Sequence, residues 1–285
     1  MMRAALFTCV LLASVLPLCA QQTNNYPPVS RVLDGMKSSN RMEREKAFGE
    51  AGELLQSDTT KSQDADRLQL AIIELLVREN RRDIKAKVGA KESPRADDAG
   101  EEESDYYSGL IGFVADLNDA RAIPALLGAA NTGGMATRGV ARFGKRALDP
   151  TLIQVKSENA DLAEGAVWVI RDMLEYRLVT DPESLRRITG ALRSALRSSE
   201  FGMRLSAMGA IEYLDDREEF VPLLKDVAEH DPVKLAGQRP DDGGDNGEFY
   251  PGRFHARQLL RKIANHEYPP IDRGLSPSEY EPVKP

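Results

Sequence analysis

The sequence predicts an all-α protein whose helices pair and stack in a row. Three observations carry this. Apolar residues recur at i, i+3, i+4 and i+7 along most of the chain. No stretch after residue 20 alternates apolar and polar residues between hairpin turns. Several segments also share one pattern, a small or apolar residue followed by apolar residues four and seven positions on. The 285 residues are 41% hydrophobic, 29% charged and 6% aromatic, with a formal charge of −7. That apolar fraction supplies a core and excludes wholesale disorder. The acidic balance gives no overall basic footprint, so a nucleic-acid partner is not expected.

The chain opens on Met1-Met2-Arg3, a short basic start. An uncharged apolar run follows from Ala4 to Leu18, and Ala20 precedes a polar switch at Gln21. This predicts a secretory signal peptide over 1–20 and an exported protein, periplasmic or secreted. The run is short of the roughly 20 residues of a membrane-spanning helix, so an uncleaved anchor is the weaker reading. Lipidation of Cys19 is the other alternative, although Pro17-Leu18 stands where a lipoprotein signal has small residues. Both cysteines, Cys9 and Cys19, lie here. Cleavage after Ala20 would leave no disulfide, thiol nucleophile or cysteine-ligated metal, and no membrane span.

Residues 21–91 are expected to form N-terminal helices. Val29, Val32, Leu33 and Met36 make one stripe, Ala47, Ala51, Leu54 and Leu55 a second, and Leu68, Ile72, Leu75, Leu76 and Ile84 a longer third. Tyr107, Leu110, Ile111, Val114 and Leu117 begin the region 106–267. Shorter helices follow at about 119–130, 134–147, 149–157, 160–176, 183–198, 201–214, 217–229 and 252–265. Their boundaries carry Asp119, Asp149, Asp181-Pro182, and Asn131 before Gly133-Gly134. Two segments interrupt the pattern. Residues 92–105 hold seven acids against one base and read as a mobile acidic loop; 215–250 hold eleven against four and include a long Gly-rich loop. The rest of the chain is mildly basic. From Tyr268, five prolines through 285 predict a loose tail.

The shared pattern appears at Ala166, Ile170 and Met173, at Ala207, Ile211 and Leu214, and at Ala256, Leu260 and Ile263. Ala47, Ala51 and Leu54 follow it with a smaller middle residue, and Val140, Gly144 and Ala147 more weakly. The preceding helices carry their own string, Ile123-Pro124-Ala125-Leu126-Leu127 and Phe220-Val221-Pro222-Leu223-Leu224. Proline fits the first turn of a helix, where no backbone donor is needed. This layout resembles the HEAT-repeat family of armadillo-type α-solenoids, over 119–266 well and over 26–117 loosely. The resemblance implies a right-handed α-solenoid of antiparallel helix pairs and a protein-binding role. The spacings between residues 140, 166, 207 and 256 are irregular for a clean repeat. A single irregular helical bundle is the alternative.

Catalytic patterns are scarce. His230, His255 and His266 do not fall at metal-ligand spacing, and there is no phosphate-binding loop or nucleophile elbow. No cofactor or metal is expected. The string Asp241 to Glu248 meets the calcium-loop template at too few positions and reads as a flexible loop. Trp168, between Val167 and Val169, reads as core, with a surface hot spot as the alternative. The binding candidates are two basic helix faces: Arg138 and Arg142 on one helix, with Lys145 and Arg146 beyond, and Arg186, Arg193 and Arg197 on another, opposite Leu185, Ile188, Leu192 and Leu196. Arginine suits carboxylates, so the expected partner is an acidic protein. The function expected is an exported interaction scaffold without catalysis; the alternative is a lyase-type or metal-dependent enzyme or its accessory subunit.

Overall fold

The computed structural model describes residues 27–57, 60–89, 99–236, 248–269 and 282–283. Residues 1–20, the acidic stretch 92–98 and most of the calcium-like string lie outside these. Among the described residues run α1 (Val29–Gly35), α2 (Arg41–Gln56), α3 (Ser62–Gly89), α4 (Ala99–Asp116), α5 (Ile123–Gly128) and α6 (Gly134–Ala141). They continue with α7 (Lys145–Gln154), α8 (Ala160–Glu175), α9 (Pro182–Leu196), α10 (Phe201–Ile211), α11 (Val221–His230) and α12 (Pro251–Ala264).

Each odd-numbered helix packs on the even one that follows it, giving six pairs. The pairs stack in chain order, so α4, α6, α8, α10 and α12 touch in sequence in one layer, and α3, α5, α7 and α9 in the other. This is an all-α solenoid of helix pairs, as the sequence predicts. One continuous apolar core runs between the layers, from Val32 to Ile263. Ala166, Ile170 and Met173 of the shared pattern are fully buried, as are Ala207 and Ile211.

Local sequence sets the helix starts. The Asn40 and Asn159 side chains accept from backbone N–H groups of α2 and α8, and Asp181 does so from Ser184 of α9, with Pro182 in the first turn. The Asp181 carboxyl is held low by its bond to Ser184. Pro124 and Pro222 open α5 and α11 after short 3-10 turns. Where the small residues fall, backbones meet. A side chain at Gly165 would lie 2.6 Å from the Asn131 nitrogen, and one at Gly139 would lie 2.8 Å from the Ala115 Cβ.

Four expectations are corrected. Residues 134–147 are not one helix, because Gly144 has φ +53° and separates α6 from α7. Its missing side chain also admits the Leu178 carbonyl. The triplet Val140, Gly144 and Ala147 is therefore no helical stripe, and Asp149 lies inside α7 rather than at its start. Residues 99–105 belong to the start of α4 rather than to a loop. The long loop after α11 is closed at its base by a two-residue antiparallel pair, β1 (Leu235–Ala236) with β2 (Glu248–Phe249). The tail is tied at both described ends. The Arg217 guanidinium donates to the Glu267 carbonyl and stacks 3.9 Å from the Tyr268 ring centroid. Further on, Val283 donates its N–H to the Arg142 carbonyl at 2.8 Å and accepts from Arg146.

A device missed in the sequence recurs in α2 and α10. The sequence Ser-Ser, four residues, then Arg places Arg44 and Arg204 in the first turn or so of each helix. Arg44 donates to the Ser38 and Ser39 carbonyls and, through Nε, to Glu79 of α3 at 2.7 Å. Arg204 repeats this with the Ser198 and Ser199 carbonyls and Asp231 at 2.6 Å. The Asp231 side chain is wholly buried and sits against Gly252 at the start of α12, so one carboxylate joins three helices. Breaking such a pair from one side strands a buried charge, at about 3–5 kcal/mol. Arg204→Met is expected to lose this much stability in urea denaturation. The Arg204→Met/Asp231→Asn double variant should lose clearly less than the two single losses combined. Additive losses would mean that the pair does not hold the junction.

Candidate interaction surfaces

From α4 onward each even helix packs on its odd partner and on its even neighbours, which leaves one side open. On α8 that side carries Glu164, Trp168, Arg171 and Asp172. Val167 and Val169 are fully buried, but Trp168 between them is half-buried on this surface rather than in the core. Its Nε1 donates to the Ser206 hydroxyl of α10 at 2.7 Å, and Ser206 donates to Glu164 at 3.0 Å. Its valine neighbours suggest core, but the inward stripe of Ala166, Ile170 and Met173 puts Trp168 on the opposite side of α8.

Beside Trp168 lies a cluster of titratable groups. Arg171 pairs with the buried Glu175 at 3.4 Å and bonds to the Tyr213 hydroxyl, with its guanidinium 5.8 Å from that ring centroid. Burial pushes the Tyr213 hydroxyl up. Asp172 is hydrogen-bonded to the Thr137 hydroxyl of α6, and its Oδ2 is closed off from solvent without a donor. Burial raises this carboxyl to about 6; Arg171 and Arg138 pull it down and Glu175 pushes it up. The cluster thus binds α6, α8 and α10 together on one open face.

The arginines nominated by the sequence do not form one surface. Arg138 and Arg142 are half-buried on α6 and at its end, in the even layer. The Arg138 guanidinium lies over Gly134 at the start of its own helix. Arg186, Arg193 and Arg197 belong to α9, in the odd layer. Arg186 is held by Glu183 at 2.7 Å, and Arg193 by Glu219 at 2.8 Å against the Phe220 ring. Arg197 and, across the layer, Lys156 form no ion pair among the described residues.

A groove of about 580 Å³ opens between α7 and α9. Leu152, Ile153, Val155 and Ala191 line it, and Ile153 is 73% exposed. The Arg187–Asp149 ion pair, 2.5 Å long, spans one end, and Lys156 and Ser194 mark the other. Its helix face holds Arg187, Gly190, Ala191 and Ser194, and the stripe of Arg186, Arg193 and Arg197 lies about a quarter turn round the same helix, with Arg197 just past its end. The stripe was legible as charge; the groove depends on the gap between two helices far apart in sequence.

Among the described residues, no group of three or more histidine, cysteine and acidic side chains could hold a metal ion, and no helix is long and apolar enough to cross a membrane. His230 lies 3.0 Å from Asp226 on the surface of α11.

No known protein family matches the sequence, and no characterised protein matches it. Among solved structures, the chain is similar to a designed armadillo repeat protein in complex with a (KR)4 peptide. That match has 12% identity over 82% of this chain and all of the other, with a TM-score of 0.36. A second designed armadillo repeat protein has 14% identity over 83% of this chain and all of the other, with a TM-score of 0.37. An engineered protein has 13% identity over 84% and 99%, also at 0.37. The helix pairs and their two layers give the architecture directly. It is a HEAT/armadillo-like α-solenoid.

The seam at Asp172 generates a pH test. Its folded value of about 6 stands above the ordinary 3.8, so between these the folded chain keeps a proton that the unfolded chain has released. Stability from this group is therefore full below about pH 4 and declines as pH rises to about 6. Asp172→Asn removes the titration. Thermal melts should show the wild type losing Tm relative to Asp172→Asn between pH 4 and pH 6.5. A gap that does not change with pH would remove Asp172 from the seam's electrostatics.

Proposed function

We propose that the protein is an exported scaffold that binds another protein on the open face of its even helices and carries out no catalysis. Export is supported by the basic start, apolar run and small residue before Gln21. The binding reading is carried by Trp168, half-buried on that face, with Tyr213 and Arg171 beside it. Trp, Tyr and Arg are the side chains in which binding energy concentrates at protein interfaces, and Trp168 already has its N–H satisfied by Ser206. Pairing of Arg186 and Arg193 with neighbouring acids supports a protein rather than a nucleic acid as partner.

Trp168 is the only tryptophan, so its fluorescence reports this face directly. The mature protein would be used as bait on the exported fraction of its own cells, and the captured partner then titrated. Binding is expected to shift the Trp168 emission. Trp168→Ala, checked for retained helicity, should weaken binding by ~30-fold or more, the loss of a hot-spot contact. A partner held equally well by Trp168→Ala, with unchanged emission in the wild type, would end this assignment.

A further inference from the structure

We infer that the groove between α7 and α9 is a second docking site, and that its occupant is an amphipathic, acidic helical segment of a partner protein. The inference rests on the scaffold reading but concerns the opposite layer of the stack.

Three observations point to an occupant. The first is size and lining. About 580 Å³ falls within the usual range of ligand sites and accommodates two leucine-sized side chains. Leu152, Ile153, Val155 and Ala191 offer apolar contact, and Ile153 spends 73% of its surface on water. The second is Gly190. It stands in the middle of α9, where glycine is a poorer helix former than alanine, and a side chain there would meet nothing within 4 Å. No internal contact requires glycine at this point. Its absent side chain does keep the groove open along its length.

The third observation is charge. Asp149, the acid among the groove-lining residues, is neutralised by Arg187. Lys156 at the other end of the lining pairs with no described acid. Outside the lining, Arg197 caps the C-terminal end of α9 one turn beyond Ser194, exposed and also without an ion pair among the described residues. An apolar channel leading to unpaired cations fits a helix with leucines at i and i+4 and glutamates in the following turn. Helix-in-groove docking uses this spacing. A basic segment would meet Lys156 and Arg197 with like charge.

The full mature chain can be tested with defined probes. One fluorescein-labelled helical peptide carries leucines at i and i+4 and glutamates in the next turn; a second replaces the glutamates with lysines. In fluorescence anisotropy the Glu peptide should bind at least ten-fold tighter than the Lys peptide, with the difference shrinking as salt rises. Gly190→Leu fills the groove at an open helical position. It should keep or raise Tm while weakening the Glu peptide ten-fold or more. Ile153→Asp, at an exposed site, should do the same without unfolding the chain. Lys156→Glu/Arg197→Glu should abolish the preference for the Glu peptide. Trp168 emission should stay constant throughout, which separates this site from the even-helix face. Equal binding of both peptides, no binding of either, or unchanged affinity in folded Gly190→Leu and Ile153→Asp would overturn the proposal. So would a double charge variant that retains the preference.

Discussion

Close approach of the even helices is the constraint on which this architecture depends. A methyl group added at Gly139 of α6 would collide with Ala115 of α4, one added at Gly165 of α8 would collide with the turn at Ala130 and Asn131 before α6, and Ala166 and Ala207 are fully buried small residues of α8 and α10. Small residues bring the even backbones together, so α8 makes its broadest contacts with α10 and α6. The later odd helices, from α5 on, do not follow. α7 and α9 touch over few residues, and α9 and α11 over fewer. A stack tight on one side and looser on the other has two kinds of surface. The tight side presents side chains interlocked across helix seams, as in the chain from Trp168 through Ser206 to Glu164. The looser side has a gap, and the groove at Ile153 is that gap.

Arginine fills different roles in the two layers, and the sequence does not label them. Arg44 and Arg204 are buried and hold loop carbonyls and a carboxylate. Arg217 is buried beneath the tail, under Tyr268. Arg186 and Arg193 lie on the surface but are neutralised by acids nearby in space. Arg197 is left unpaired among the described residues. A stripe of basic residues spaced along one helix identifies a face, but the acids that quench it come from other elements, as Glu219 does for Arg193. The Ser-Ser to Arg spacing shared by residues 38–44 and 198–204 was the available signal for the buried pair. Arginine is mostly an exposed residue, so the spacing alone does not announce burial.

The helical content and the pairing of helices were legible because both rest on local periodicity. The apolar stripes of α8, α10 and α12 fall where the sequence places them, and the prolines of α5 and α11 stand in their first turns. What was not legible depends on single backbone torsions or distant contacts. Gly144 takes a left-handed conformation that composition cannot announce, and it splits one expected helix into two. Residues 99–105 looked like loop because of their acidity, yet they belong to the start of α4. The proline-rich tail looked loose, but Val283 finds a partner in the Arg142 carbonyl, far back in the chain. The candidate surfaces follow the same division. Their residues can be picked out one by one, but Trp168 and Asp172 become one site only after α6, α8 and α10 have stacked.

Asp172 carries a cost of its own into the even face. A carboxyl held in a helix seam, with one oxygen lacking both donor and solvent, favours its protonated form and weakens the seam near neutral pH. An apolar residue there would carry no such cost, as at Ile170 and Met173 on the buried side of the same helix. The same holds for Gly190 in the other layer, where alanine would strengthen the helix without touching a neighbour. Both positions give up stability within the central pairs, Asp172 in a seam between even helices and Gly190 on an exposed face of α9. Gly49, Gly109 and Gly209 have the same room for a methyl group, so what distinguishes Gly190 is its place in the wall of the groove between α7 and α9.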